Sequence, residues 1–206
     1  MTLTKFTIQT LWDGTLLREE EEILFSLSFE SDKVTLEVEA PFYDDPKPLE
    51  TASGRMNFDG LWNFEVVELF IKGGHDKYLE IELGPHGHFL LLVCDGYRQC
   101  FHRGIDPIAY TARISGNRWK GVLEFSPELL PPMSAVPDAI YSFNAFGIHG
   151  KPEERIYASL FPPEKAQGEY LVPDFHRLEL FHPFPSGLFP FPYSEKQSVW
   201  RSYLCD

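Results

Sequence analysis

The stretch Phe64-Glu65-Val66-Val67-Glu68-Leu69-Phe70-Ile71, a loop around Gly73-Gly74, and then Tyr78-Leu79-Glu80-Ile81-Glu82-Leu83 decides the fold class. In the second arm Leu79, Ile81 and Leu83 alternate with Tyr78, Glu80 and Glu82, the period-two pattern of a strand. Two such arms around a glycine pair read as a β-hairpin. If Ile71 opposes Tyr78, Phe70 faces Leu79, Glu68 faces Ile81 and Val66 faces Leu83, while Leu69 faces Glu80 and Val67 faces Glu82. A one-residue shift sets Glu68 against Glu80, and opposed like charges are unfavourable. The first register is therefore expected. It gathers Glu65, Glu80 and Glu82 on one face and leaves Glu68 on the apolar face, where a carboxyl must be hydrogen-bonded or keep its proton.

The same period recurs outward from the hairpin. Val34, Leu36 and Val38 alternate with Thr35, Glu37 and Glu39, and Ile156, Ala158 and Leu160 alternate with Arg155, Tyr157 and Ser159. Further strands are expected near Phe6–Gln9, Leu24–Phe29, Phe89–Cys94, Arg98–His102, Ala109–Ile114, Trp119–Phe125, Tyr141–Ile148 and Phe175–Phe181. Turn signals such as Gly84-Pro85, Asp95-Gly96 and Gly116-Asn117 separate them. Many short strands at close spacing predict an all-β, antiparallel β-sandwich of jelly-roll type with little helix. The best helical turn is Ser126–Leu130, with Ser126 as cap and Pro127 at the first position. The run Glu19–Glu22 reads as a solvated turn. Residues 1–206 are expected to form one domain, with a Pro- and aromatic-rich tail from about 182 that wraps the sandwich.

The chain has 206 residues, 43% hydrophobic and 15% aromatic, and a net charge of −13. That composition belongs to a globular domain large enough to bury a core without covalent staples. The negative field, with no basic stripe, argues against nucleic acid and anionic membrane as partners. Three cysteines, Cys94, Cys100 and Cys205, suggest neither a disulfide framework nor a zinc site. With no basic-then-apolar leader at the N-terminus and no apolar run of membrane-spanning length, the expected location is cytoplasmic. Oligomeric state is left open.

Several blocks carry a family likeness. Leu61-Trp62 precedes Val67-Glu68-Leu69-Phe70; Tyr78-Leu79-Glu80 and the turn Pro85-His86-Gly87 follow; then come Asp95-Gly96-Tyr97-Arg98, Tyr157-Ala158-Ser159-Leu160 and Pro173-Asp174-Phe175-His176. Together they resemble the DOMON-like, type 9 carbohydrate-binding module pattern. From about Trp12 to about Phe181 the chain is most similar to an uncharacterised cytoplasmic family named after a chromosome 4 open reading frame. The resemblance implies a β-sandwich that binds a ligand, nominally a carbohydrate or small polyol.

The residue types suit that chemistry, because a sugar offers an apolar face to an aromatic ring and hydroxyls to carboxylates and amides. Trp62 and Trp12 are the candidate rings, and Glu65, Glu80, Asn144 and Arg155 the candidate polar partners. A polar cluster of Tyr157, Asp174, His176 and His149 is expected at one end of the sandwich. There Arg155 pairs with Asp174, and Asp174 and His176 project from one side of a strand.

Rival readings are a protein-interaction domain, using an exposed patch of Phe184, Phe189, Phe191 and Tyr193, and an enzyme using His and carboxylate groups. No nucleophile motif is present and no catalytic residue is assigned. His86-Gly87-His88 is a weak metal signal at a turn of the kind usually exposed, so no metal is expected. Haem ranks below sugar, since Met56 and Met133 sit in polar or Pro-rich loops; no cofactor is expected.

Overall fold

The computed structural model describes residues 2–48, 56–103, 105–133, 140–185 and 200. In chain order its strands are β1 (Thr2–Ile8), β2 (Thr10–Leu11), β3 (Ile23–Phe29), β4 (Val34–Pro41), β5 (Val66–Lys72), β6 (Lys77–Leu83) and β7 (Phe89–Asp95). They continue with β8 (Cys100–Arg103), β9 (Ala109–Ser115), β10 (Arg118–Phe125), β11 (Ser142–His149), β12 (Ile156–Ser159) and β13 (His182–Pro183). One sheet has the spatial order β1-β3-β4-β10-β9. The larger sheet runs β2-β12-β11-β5-β6-β7-β8, with β13 also paired to β11. These strands pair antiparallel throughout. The fold is the antiparallel β-sandwich that the alternation predicts. Among the described residues the helical pieces are short 3-10 turns, and no helix is long and apolar enough to cross a membrane.

The period of two does the packing. On the smaller sheet Leu27, Leu36 and Leu123 stand opposite one another across β3, β4 and β10, all fully buried. They meet Leu69, Ile71, Leu79, Ile81, Leu91 and Val93 from the inner face of the larger sheet. The outer face of the larger sheet is buried too. Val66, Phe70, Tyr78, Leu90, Leu92 and Phe146 lie under a second apolar layer that includes Trp12, Phe175 and Phe181. Phe175 stacks on Phe146 with ring centroids 3.9 Å apart. Burial on both faces explains why β5 reads as a nearly unbroken apolar run.

The expected hairpin register is off by one. Lys72, not Ile71, opposes Tyr78, so Phe70 faces Glu80, Leu69 faces Ile81 and Glu68 faces Glu82. The Gly73-Gly74 loop sets this register: Gly73 N–H donates to Lys77 O, and Lys77 N–H to Gly74 O. Glu68, Glu80 and Glu82 therefore share the outer face, and all are buried. Opposed like charges do not decide this register, because buried carboxyls need not be ionised. At about 5 Å and an effective dielectric of about 20, two carboxylates repel by about 3 kcal/mol. Buried carboxyls avoid that cost by keeping protons.

Three other expectations change. Phe175–Phe181 is not a strand: it begins in a turn closed by Arg177 N–H to Asp174 O and ends in the 3-10 turn Leu178–Leu180. Phe184 is buried against Phe143 and not part of an exposed patch; Phe189, Phe191 and Tyr193 lie outside the described residues. Cys94 and Cys100 are joined by a disulfide, because an irregularity in the β7–β8 pairing after Val93 sets them opposite each other. The capped turn at Ser126 is present as expected, with Glu128 N–H donating to Ser126 Oγ.

Asn144 ties the sheet to the chain beyond β12. Its Nδ2 donates to Phe161 O at 3.0 Å, and its Oδ1 accepts from Phe161 N–H at 3.0 Å and Ala145 N–H at 2.9 Å. The residue is fully buried. Asn144→Ala strands those backbone groups, each worth about 1–3 kcal/mol when unsatisfied. Denaturant unfolding of the variant is expected to show a loss of about 2–4 kcal/mol.

Candidate functional site

A cleft of about 480 Å³ opens on the outer face of the larger sheet. Its floor comes from the sheet: Glu68 on β5, Glu80 on β6, Leu92 on β7 and Ile148 on β11. Its walls come from the covering layer. Trp62 stands at the head of β5 in the 3-10 turn Leu61–Asn63. That turn starts from Gly60, whose φ of 96° is a backbone shape glycine adopts without strain. Trp62 lines the cleft and is 39% exposed.

Beside Trp62, Arg155 donates from Nη1 to Gly150 O at 2.8 Å and from Nη2 to Trp62 O at 3.2 Å. Gly150 is required here, because a Cβ would sit 2.5 Å from Glu154 O. Burial lowers the Arg155 pKa from its ordinary value, while Tyr157, Asp45 and Glu68 oppose that shift. The guanidinium thus bridges Trp62 and the loop before β12, holding one wall in place.

The opposite wall is an ion-paired latch. Arg98 donates to Asp174 Oδ1 at 2.8 Å and Tyr97 Oη to Asp174 Oδ2 at 2.6 Å, while Asp174 Oδ1 accepts from the His176 backbone N–H. Those donors hold the Asp174 pKa below its ordinary value against the opposing effect of burial. Arg98 adopts a left-handed φ of 56°, an unfavourable backbone that the latch offsets. His176 Nδ1 lies 2.6 Å from Tyr78 Oη. Burial, then the nearby Arg98 charge, pushes the His176 pKa down to about 4, so the ring is neutral at pH 7.

On the floor, the pKa of Glu68 is raised well above 4.5, first by burial and then by Glu80, and Arg98 and Arg155 only partly offset this. Glu82 is raised in the same direction by burial, Glu68 and Glu80. Glu68 Oε1 accepts no hydrogen bond among the described residues. A carboxyl that keeps its proton at neutral pH both donates and accepts.

The cleft gathers five of the residues expected from sequence: Trp62, Glu80, Arg155, Tyr157 and His176. Asp174 supports it from behind but pairs with Arg98, so the expected Arg155–Asp174 pair is corrected. Arg155 lies on the other wall and spends its donors on backbone carbonyls.

The other expected residues stand elsewhere. Trp12 is buried under the covering layer, with Nε1 donating to Tyr170 O. Asn144 is buried and pins Phe161. Glu65 accepts from the Tyr43 and Asp45 backbone N–H groups, and burial pushes its pKa up to about 7. His149 stacks on Tyr43 at 3.5 Å. His88 is buried beside Phe58, not exposed in a turn. Glu68 and Arg98 also line the cleft, although neither stands among the residues expected there from sequence. Arg98 stands in the Asp95-Gly96-Tyr97-Arg98 turn, a signal that was present. Glu68 was hidden by the register.

The chain is 38% identical over 181 residues to the mouse protein named UPF0462 protein C4orf33 homolog, covering 87% of this chain and 90% of the relative. It is 33% identical to the human C4orf33 protein, again over 181 residues, covering 87% and 86%. The chain belongs to the UPF0462 (C4orf33) family. No protein-family model matches it.

Among solved structures, a candidate carbohydrate-binding protein from Bacteroides uniformis superposes with a TM-score of 0.62 at 13% identity, covering 88% of this chain and 85% of that one. A family 9 carbohydrate-binding module from Caldicellulosiruptor kristjanssonii, solved with cellotriose, reaches a TM-score of 0.43 at 10% identity, covering 68% and 65%. The first likeness places this family member in the β-sandwich fold seen in its structure.

The raised pKa of Glu68 has a signed consequence. Below about pH 4.5 both folded and unfolded chains hold the proton. As pH rises, the unfolded chain ionises freely while the buried group resists, so stability present at low pH is lost on the way up. Glu68→Gln removes that loss. Its melting temperature is expected to match or fall below the parent's at pH 4 and to exceed it by about 3 °C or more at pH 8.

Proposed function

We propose that the cleft binds a carbohydrate or small polyol. The observation that carries this reading is a partly exposed Trp62 lining a 480 Å³ cleft together with the carboxyl groups of Glu68 and Glu80 and with Arg155. That volume lies in the range of small-ligand sites, about 300–1,000 Å³. An aromatic face takes the apolar side of a sugar ring, and side chains that donate and accept take its hydroxyls. The raised pKa of Glu68 leaves the floor a carboxyl suited to both donating to and accepting from neutral hydroxyls. A candidate carbohydrate-binding protein shares the fold, and the proposal follows it in ligand class.

A calorimetric and NMR screen of monosaccharides, short glucans and polyols tests this reading. At least one is expected to bind and to shift resonances of cleft residues. Trp62→Ala should abolish detectable binding, and Arg155→Ala should weaken it roughly tenfold, the effect of losing one charge-assisted hydrogen bond. A screen with no ligand overturns the proposal, and unchanged binding by Trp62→Ala moves the ligand out of the cleft.

A further inference from the structure

The disulfide sits where a 206-residue sandwich has little need of one. The two cysteines are six residues apart on one hairpin that its backbone already closes, in an apolar layer on the far side of a sheet that already has a large core. Their surroundings are polar and chemically specific. Glu80 Oε2 lies 4.0 Å from Cys100 Sγ, and Tyr78 Oη lies 3.8 Å from the same sulfur. One carboxylate oxygen of Glu80 and the sulfurs of Cys94 and Cys100 all fall within 4.8 Å of one another. Cys94 is fully buried, whereas Cys100 lines the cleft.

We propose that Cys94 and Cys100 form a redox-gated metal site, which in its dithiol state binds a zinc-like divalent ion together with Glu80. Tetrahedral zinc with Zn–S of about 2.3 Å and Zn–O of about 2.0–2.2 Å sets its ligand atoms about 3.5–3.8 Å apart. The Glu80–Cys100 separation is already close to that. The two sulfurs reach it by side-chain rotation once the bond between them is gone. Two thiolates and a carboxylate supply three ligands, and the fourth position falls to water or a group in the cleft.

The redox step needs a dithiol reductant. Its thiolate attacks Cys100 Sγ from the cleft, the Cys94–Cys100 bond breaks, and Cys94 leaves as a thiolate that takes up a proton. The reductant's second thiol then displaces Cys100 and leaves as its own disulfide, so two electrons pass to the pair. Binding of the metal releases the two thiol protons to solvent. Oxidised, the pair has no thiolate to offer, so the site is closed.

The test uses the full chain carrying Cys205→Ser, in oxidised form and after reduction and removal of the reductant. Zinc is titrated against a chromophoric chelator, and cobalt(II) is used as a spectroscopic probe. The reduced chain is expected to take up one equivalent of either metal, with a thiolate-to-cobalt charge-transfer band, and the oxidised chain none. Cys100→Ser should remove most of that band and weaken zinc binding roughly tenfold or more. Glu80→Gln should weaken binding by a similar factor and retain the band. Thermal melting confirms that each variant is folded, and Cys100→Ser alone decides the matter if Glu80→Gln is not. The proposal is overturned if the reduced chain binds no zinc, if the oxidised chain binds it equally, or if Cys100→Ser binds as tightly as its parent.

Discussion

The pairing of β5 with β6 is the constraint on which the rest of the structure depends. It carries Leu69, Ile71, Leu79 and Ile81 into the sandwich core on one side, and Glu68, Glu80 and Glu82 on the other. An outer face bearing three carboxyls would normally face water. Here it lies under the second apolar layer of Trp12, Phe175 and Phe181, packed on Phe70, Phe146 and Tyr78. The larger sheet is thus the middle layer of three, and its acidic groups stand in a low-dielectric setting. Burial holds the pKa of Glu68 and Glu82 well above the ordinary carboxylate value, which is how the floor tolerates these two.

Because the covering layer is built from turns, it can leave a gap. Trp62, Arg155 and the Asp174–His176 turn meet around that gap and define the cleft. Each wall is fixed by polar contacts to backbone or neighbour: Arg155 to Trp62 O and Gly150 O, and Asp174 to Arg98 and Tyr97. Preorganisation of this kind lowers the cost of ordering side chains around a ligand. The neutral His176–Tyr78 contact and the high pKa of Glu68 give the cleft hydrogen-bonding groups of little net charge, although the chain as a whole is strongly acidic.

The disulfide lies at the junction of floor and wall. Cys94 belongs to the buried outer face, and Cys100 opens on the cleft. Tyr78 touches both Cys100 and His176, so the hairpin end of β7–β8, the floor and the covering turn share one set of contacts. A chemical change at the sulfurs would therefore act directly on the shape of the cleft.

Much of this was legible in the chain itself. Alternation placed most strands within one or two residues, from Val34–Pro41 to Arg118–Phe125, because a strand with one face in a core must repeat every second residue. Trp62, Glu80, Arg155, Tyr157 and His176 were identifiable as site candidates by residue type and motif. The partners of each side chain were not. Register depends on the exact hydrogen bonds of a glycine loop, and a single-residue slip hid Glu68 from the cleft. Asp174 chose Arg98 over Arg155, and Cys94 met Cys100, because of where turns and a strand irregularity set the backbone. Trp12 and Asn144, plausible by type, were taken up by packing. Local periodicity is a property of neighbours in sequence, so the sequence alone determined most of the strands; the cleft joins bonded residues as many as 98 positions apart, and only the tertiary structure, through sheet register and the turns laid over it, decided which of them meet.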